Sequence, residues 1–320
     1  MFSQHQMLKT ILAAACFSLP TWAQSSPPAG ALIVRQSNTG SGEHATISSA
    51  VAALAGLTGP KTIFVYPGSY AEQVRINYPY PLNLQGFSTN PTSTASNQVT
   101  VRVAISAAQA GSNSQSAAIW ARSADIRISN LNVINSFGTG TDTQALALAS
   151  AGQRQAFAFF SSFQDTVSIE GTAFFIGSRI EGAVDFVFGS GSAWFESVVL
   201  AVKASPHATV ITAQRNSPGG QTAFVFSRSQ VISAGATTGS TYLGRPWSEY
   251  ASVVFQSCSL SDIINPAGWS VWAPNNPQTA HVRFQLGPGA STSARQFGTQ
   301  RTSPVLIESI LGSGHSSWAR

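Results

Sequence analysis

From Thr62 onward the chain advances in short β-prone runs, rarely longer than about six residues, cut apart by Gly, Ser, Asn and Pro. No other feature limits the fold as much. The runs are Thr62-Ile63-Phe64-Val65-Tyr66 and the stretches 99–105, 126–134, 156–160, 184–188, 198–202, 223–226, 253–255 and 282–286. Many short strands with few charges suit either a sandwich or a solenoid, and a fixed recurrence of positions separates the two. Gln144 and Gln164 stand 20 residues apart, as do Asp165 and Asp185, and Phe157 and Phe159 are followed at a similar offset by Phe175 and then Phe195. In a solenoid, residues one period apart stack on neighbouring strands about 4.8 Å apart. The four polar residues would then share one face as a compact ladder. Spacing alone leaves two readings of that ladder open, a functional site or amide and carboxylate stacking that is purely structural.

Ahead of the strands, residues 45–57 have the one amphipathic helical pattern, with Ile47, Val51 and Leu54 on one face and Gly56 near the end. A solenoid needs its first rung covered against edge pairing, and this helix is the expected cap. Residues 1–23 carry a single cation, Lys9, then an apolar run and the small-residue pattern around Thr21-Trp22-Ala23. They read as a secretory signal peptide, leaving 24–320 as one domain. No stretch reaches about 18 consecutive apolar residues. The expected product is therefore a soluble, extracellular protein, with no membrane partner.

Of two cysteines, Cys16 falls in the leader, so Cys258 has no intramolecular partner and is expected to be a buried small hydrophobe. Charged residues make up 9% of the chain with a net charge of +5. No Lys/Arg run tracks phosphates, so nucleic acid is not an expected partner, and a mildly basic exported protein fits an acidic polysaccharide better. No Asn-x-Ser/Thr sequon lacks proline, the nearest approach being Asn90-Pro91-Thr92.

Gly-x-Ser-x-Gly, His-Glu-x-x-His, Gly-x-Gly-x-x-Gly and Cys-x-x-Cys are all missing, and His44, His207, His281 and His315 are scattered. Serine esterase, zinc and dinucleotide chemistry therefore have no support, and neither a metal nor a cofactor is expected. With only 12 Asp and Glu in the chain, two in apolar β-prone settings need a reason: Phe163-Gln164-Asp165-Thr166-Val167 and Asp185-Phe186-Val187-Phe188-Gly189. A half-buried carboxylate costs several kcal/mol unless paired. Two acids one rung apart also split their pKa values, which divides the roles of nucleophile and general acid.

Gln144-Ala145-Leu146-Ala147-Leu148, Phe163-Gln164-Asp165-Thr166, Asp185-Phe186-Val187-Phe188-Gly189 and Leu243-Gly244-Arg245-Pro246-Trp247 resemble, in order and approximate spacing, the four signature segments of the pectin methylesterase (pectinesterase) family. Gly68-Ser69-Tyr70-Ala71-Glu72 resembles its early segment. Gly268-Trp269 with Trp272, and Gly287-Pro288-Gly289-Ala290, resemble its C-terminal ones, so the likeness covers residues 45–290. It implies an all-β, right-handed parallel β-helix that strips methyl esters from polygalacturonate (pectin). By the same resemblance Asp185 is the nucleophile and Asp165 the general acid/base. Gln144 and Gln164 donate to the oxyanion, Arg245 pairs with Asp185 and lowers its pKa, and Trp247 offers a face to a sugar ring. Gln144 and Arg245 are also expected to touch substrate, and the enzyme to act as a monomer. Phe163, Val167 and Ala149 depart from the commonest family residues (Tyr, Leu and a basic residue) without removing a reacting group.

A lyase of the same fold resembles a different motif set and needs a Ca²⁺ cage of several acids. A polygalacturonase needs acids more widely separated than one rung. A β-helical adhesin would bind pectin without turnover, and methanol release separates all three from an esterase.

Overall fold

The run-and-turn pattern becomes three parallel sheets wound as one coil in the computed structural model, which describes residues 25–138, 144–158, 161–163, 167–287 and 294–319. Among the described residues the sheets hold 11, 7 and 8 strands, and each strand pairs in parallel with one from the next turn of the coil. Thr172–Ile176 lies beside Ser192–Glu196, for instance, which lies beside Phe224–Ser227. Parallel neighbours cannot be joined by a tight hairpin; here the other two sheets supply the crossover, and strand twist makes it right-handed. The chain is a right-handed parallel β-helix, as expected.

The interior is a column of aromatic rings. Phe157, Phe175, Phe195, Phe226 and Phe255 are fully buried and stack in sequence with centroids 4.7, 4.8, 4.3 and 4.5 Å apart. Those distances match the spacing of adjacent strands, about 4.8 Å. Offset-stacked pairs add about 0.5–1.5 kcal/mol each beyond burial. The sequence intervals along the column are nevertheless 18, 20, 31 and 29 residues. A regular 20-residue period therefore holds for one pair of turns, where Val167 faces Val187, Phe175 faces Phe195 and Arg179 faces Val199. Stacking requires only that strands stay in phase, so the length differences fall in the turns outside the core.

One corner of the coil recurs with a single left-handed residue: Asn130, Gly177, Ser197, Arg228 and Ser257 have φ of 56°, 55°, 52°, 49° and 52°. The run 126–134, legible as one strand, is split there into Ile126–Ser129 and Leu131–Asn135, which lie in different sheets. Just past the corner, Ser178 Oγ donates to the carbonyls of Phe157 and Ile176, and Ser229 Oγ to those of Phe195 and Ser227. Cys258 Sγ donates to the carbonyls of Phe226 and Gln256 in the same way. Cys258 is thus buried, as expected, and its thiol takes the place of a serine in a stack of corner hydroxyls. Burial pushes it up to about 11.

The capping helix is Ile47–Ala52, shorter than the expected 45–57. Beyond it the chain reaches Gly56 through tighter turns, such as Leu54 N–H to Val51 O and Leu57 N–H to Leu54 O. Ile47, Ala50 and Leu54 remain buried in the core cluster. Both oxygens of Glu72 accept from the helix N-terminus, Ile47 N–H and Ser48 N–H, each at 2.8 Å. The Gly-x-Tyr-x-Glu segment therefore fastens the cap to the coil, its acid satisfying two of the helix's free N–H groups. A second cover was not legible in advance. Leu311, Trp318 and Ala319 pack on Phe174, Trp194, Val225 and Val254, the outer face of the 11-stranded sheet.

Candidate active site

The seven-stranded sheet holds the signature residues 185–189 and 243–246, and one of its strands starts at Leu148, the last residue of the first segment. Its described strands are β1 (Val74–Ile76), β2 (Ile119–Ala121), β3 (Leu148–Ser150), β4 (Val167–Ile169), β5 (Val184–Gly189), β6 (Thr209–Gln214) and β7 (Thr241–Pro246), side by side in that order. Ile119, Leu148, Val167 and Val187 point inward, and the residue after each belongs to an outer row. Register aligns Arg75, Trp120, Ala149, Ser168, Phe188, Ala213 and Arg245 along that row.

Asp185 breaks the regularity. Val184 pairs with Val210 and Val187 with Thr212, so two residues of β5 face one of β6 in a β-bulge. The bulge lets Phe186 and Val187, consecutive in sequence, both enter the core. Gly182 makes this possible, since a Cβ there would lie 2.3 Å from Cβ of Phe186. Asp185 absorbs the irregularity with a φ of 52°, a left-handed conformation that costs a non-glycine residue about 1–2 kcal/mol and that Asp tolerates better than most. Bulges re-aim side chains, and this one turns the carboxylate toward β7.

Arg245 receives it. Its Nε lies 3.0 and 3.1 Å from Asp185 Oδ1 and Oδ2, and its Nη2 lies 2.6 Å from Oδ2. The guanidinium also covers the Trp272 ring, 4.5 Å from its centroid, and donates to Trp272 O at 3.5 Å. A planar fork held by a carboxylate on one side and an indole on the other has little freedom left. The expected lowering of the Asp185 pKa is corrected here. Burial pushes the carboxyl above the ordinary aspartate value, and the bonds and charge of Arg245 oppose that rise without cancelling it. Desolvation wins because, among the described residues, Arg245 alone compensates the carboxylate.

Trp247 is half-buried and outside the core, tilted against Phe188 at 5.8 Å, with the Arg215 guanidinium 4.4 Å from its ring centroid. Gln144 precedes β3; its backbone carbonyl accepts from Ala107 N–H at 2.7 Å and its side chain is exposed. Leu148 pairs with Val167, 19 residues on, so the 20-residue interval between Gln144 and Gln164 is not the register of the strands that follow them. Gln164 and Asp165 lie outside the described residues, as does the stretch 1–23 that the sequence reads as a signal peptide. Among the described residues no cluster of His, Cys, Asp and Glu has the arrangement of a metal site.

Trp272, Phe188 and Arg215 are contacts that the sequence reading did not single out as site residues. The alignment of β5, β6 and β7 brings Phe188 and Arg215 to Trp247, and the chain that follows β7 lays Trp272 against Arg245. Beside Arg215, a cleft of about 720 Å³ opens between Ser190, Asn216, Ser248, Glu249 and Tyr250. A half-buried, cation-oriented carboxylate beside half-buried aromatic rings suits nucleophilic attack on a carbohydrate ester.

Comparison with known proteins agrees with this geometry. The Pectinesterase family model matches residues 33–299. A pectinesterase of Aspergillus niger is 36% identical over 327 residues, covering 98% of this chain and 98% of that protein. The crystal structure of a pectin methylesterase from Aspergillus niger superposes with a TM-score of 0.83 at 32% identity, over 92% of this chain and 98% of that one. A pectin methylesterase crystallised with a hexasaccharide superposes at 0.74 with 25% identity, over 90% and 98%. The parallel coil, the Asp185–Arg245 pair and these similarities converge on one assignment: the chain belongs to the pectinesterase family of carboxylic ester hydrolases.

Proposed function

We propose that the protein hydrolyses the methyl esters of polygalacturonate through an acyl-enzyme on Asp185. The observation that carries this reading is the bidentate Arg245–Asp185 pair at a strained bulge, where a poorly solvated carboxylate is held in one orientation. A carboxylate oxygen of Asp185 attacks the ester carbonyl, and Gln144 and Gln164 donate N–H groups to the oxyanion, each worth about 3 kcal/mol when well aimed. As the bond to the methoxy group breaks, Asp165 gives it a proton and methanol leaves. Water then attacks the anhydride, Asp165 takes its proton, and Asp185 departs as carboxylate with the galacturonate carboxyl released. Val167, two residues after Asp165, pairs with Val187, two residues after Asp185, which supports the placement of the acids one strand apart.

Trp247 and Arg245 contact the sugar in this reading, and Trp272 holds Arg245 in place. Residues 24–320 act as one exported domain with methyl-esterified homogalacturonan as the partner, and the enzyme works as a monomer without a metal. Methanol release from methylated pectin by purified protein, undiminished by EDTA, is the test. Depolymerisation without methanol, or methanol release lost on chelation and restored by Ca²⁺, would overturn the assignment. Asp185→Asn should bind pectin and release no methanol.

A further inference from the structure

Asn135 is the last residue of the strand Leu131–Asn135, paired there with Val103, and its side chain is fully buried. Where the strand pairing stops, its amide carries the bonding on. Asn135 Oδ1 accepts from Ile105 N–H at 3.2 Å and from Phe137 N–H at 3.3 Å. Asn135 Nδ2 donates to the carbonyls of Ile105, Ser116 and Leu146 at 2.8, 3.0 and 3.2 Å. One amide thus ties the end of its own strand to three separate stretches of chain. A buried amide with both polar atoms engaged holds its partners more firmly than the same bonds would in water.

All three stretches lead to Gln144. Two residues beyond Ile105, Ala107 N–H donates to Gln144 O at 2.7 Å. Ser116 Oγ accepts from Leu146 N–H at 3.1 Å and itself donates to Asn113 O at 2.7 Å. Leu146 O takes the Asn135 bond together with one from Ala118 N–H at 3.1 Å. Leu146, with Ala117 and Ala149, also forms the buried cluster on which Phe188 packs, and Phe188 lies three residues past Asp185 on β5. Packing on one side and the Asn135 bonds on the other therefore set the 144–146 backbone relative to the nucleophile. The Gln144 side chain is exposed, so its aim depends on how firmly that backbone is held.

We propose that Asn135 is a positioning residue for the ester reaction, holding the 144–146 backbone so that the Gln144 amide points at the oxyanion. This rests on the role given to Gln144 above. Asn135 touches no substrate and acts through Gln144. A misplacement of about 1 Å can cost about 100-fold in rate, and the loss of one oxyanion donor about 100- to 1,000-fold. The loss from Asn135→Ala can therefore approach that from Gln144→Ala but cannot add to it.

A double-mutant cycle tests this, with methanol release measured for the wild type, Asn135→Ala, Gln144→Ala and the double variant, each well below its melting temperature. In Asn135→Ala kcat should fall about tenfold or more while KM stays within about twofold, because an oxyanion donor acts in the transition state. In the Gln144→Ala background the same substitution should cost less than about twofold, whereas a merely structural role would cost the same in both. Ser116→Ala removes only the hydroxyl bonded to Leu146 N–H and decides the matter if Asn135→Ala does not fold. It should lower kcat about threefold or more, and again not when Gln144 is already Ala. Losses that multiply in the double variants, a raised KM at unchanged kcat, or wild-type kcat in both Asn135→Ala and Ser116→Ala would overturn the positioning role and leave the esterase reading standing. A wild-type protein that releases no methanol, or Gln144→Ala at full kcat, would refute the reading of the site on which the proposal rests, and the proposal with it.

Discussion

Arg245→Ala removes the only cation bonded to Asp185 among the described residues, and its consequences can be worked out from the pair's geometry. With side chains 27% and 19% exposed, Arg245 and Asp185 are neither a surface pair worth under 1 kcal/mol nor a fully buried one whose breakage costs about 3–5 kcal/mol. A loss of about 1–3 kcal/mol in folding stability is expected. Burial already raises the Asp185 pKa and, among the described residues, Arg245 alone opposes that, so the variant's carboxyl must titrate higher still. The sign follows directly. A variant that holds its proton to higher pH has its full stability deficit where Asp185 is ionised in both proteins, and loses that deficit as the pH falls through the carboxyl's folded pKa values. The acidic limb of the pH–activity curve should move toward neutrality for the same reason.

At the pH optimum kcat should fall about 100-fold or more, because the nucleophile loses its orientation together with its charge partner. Arg245→Lys should bring back much of the acidic limb, since the charge returns, but little of kcat, since a point charge cannot hold both carboxylate oxygens in a plane. Methanol release across pH and urea unfolding at two pH values measure all of this. An acidic limb that stays put in Arg245→Ala, or wild-type kcat in Arg245→Lys, would refute the argument.

Phe195→Ala should cost about 3–5 kcal/mol in urea unfolding, because the ring is fully buried between Phe175 at 4.8 Å and Phe226 at 4.3 Å; a loss below 1 kcal/mol would mean that the column does not bear on stability. Trp247→Ala should raise KM for pectin with little change in melting temperature, and a steep drop in melting with unchanged KM would make Trp247 a packing residue instead. Cys258→Ser should melt within a few degrees of the wild type, because a hydroxyl at that corner keeps both carbonyl contacts made by the thiol. The native thiol, pushed up to about 11, should resist alkylation at neutral pH until the protein is unfolded.

Local composition and order were enough to determine the class of fold and much of the site. Short apolar runs broken by Gly, Ser and Asn can bury themselves only by stacking turn on turn, and Phe157, Phe175 and Phe195 already marked the inward column. The signature segments placed Asp185 and Arg245 in the same site although 60 residues separate them. Cys258, without a partner and among apolar residues, was legible as buried.

Tertiary structure decided what depends on register and desolvation. The bulge at Asp185 leaves no mark in a string of residues, because it exists only as two residues of β5 facing one of β6. The left-handed corners fall on Asn130, Gly177, Ser197, Arg228 and Ser257, residue types with nothing in common but position in the coil. The direction of the Asp185 pKa went against the charge beside it, since a sequence names the cation but not the burial opposing it. The meeting of Arg245 with Trp272 likewise follows from which turn lies beside which. Turn lengths set that freely, because a β-helix fixes the phase of its strands and not the number of residues between them.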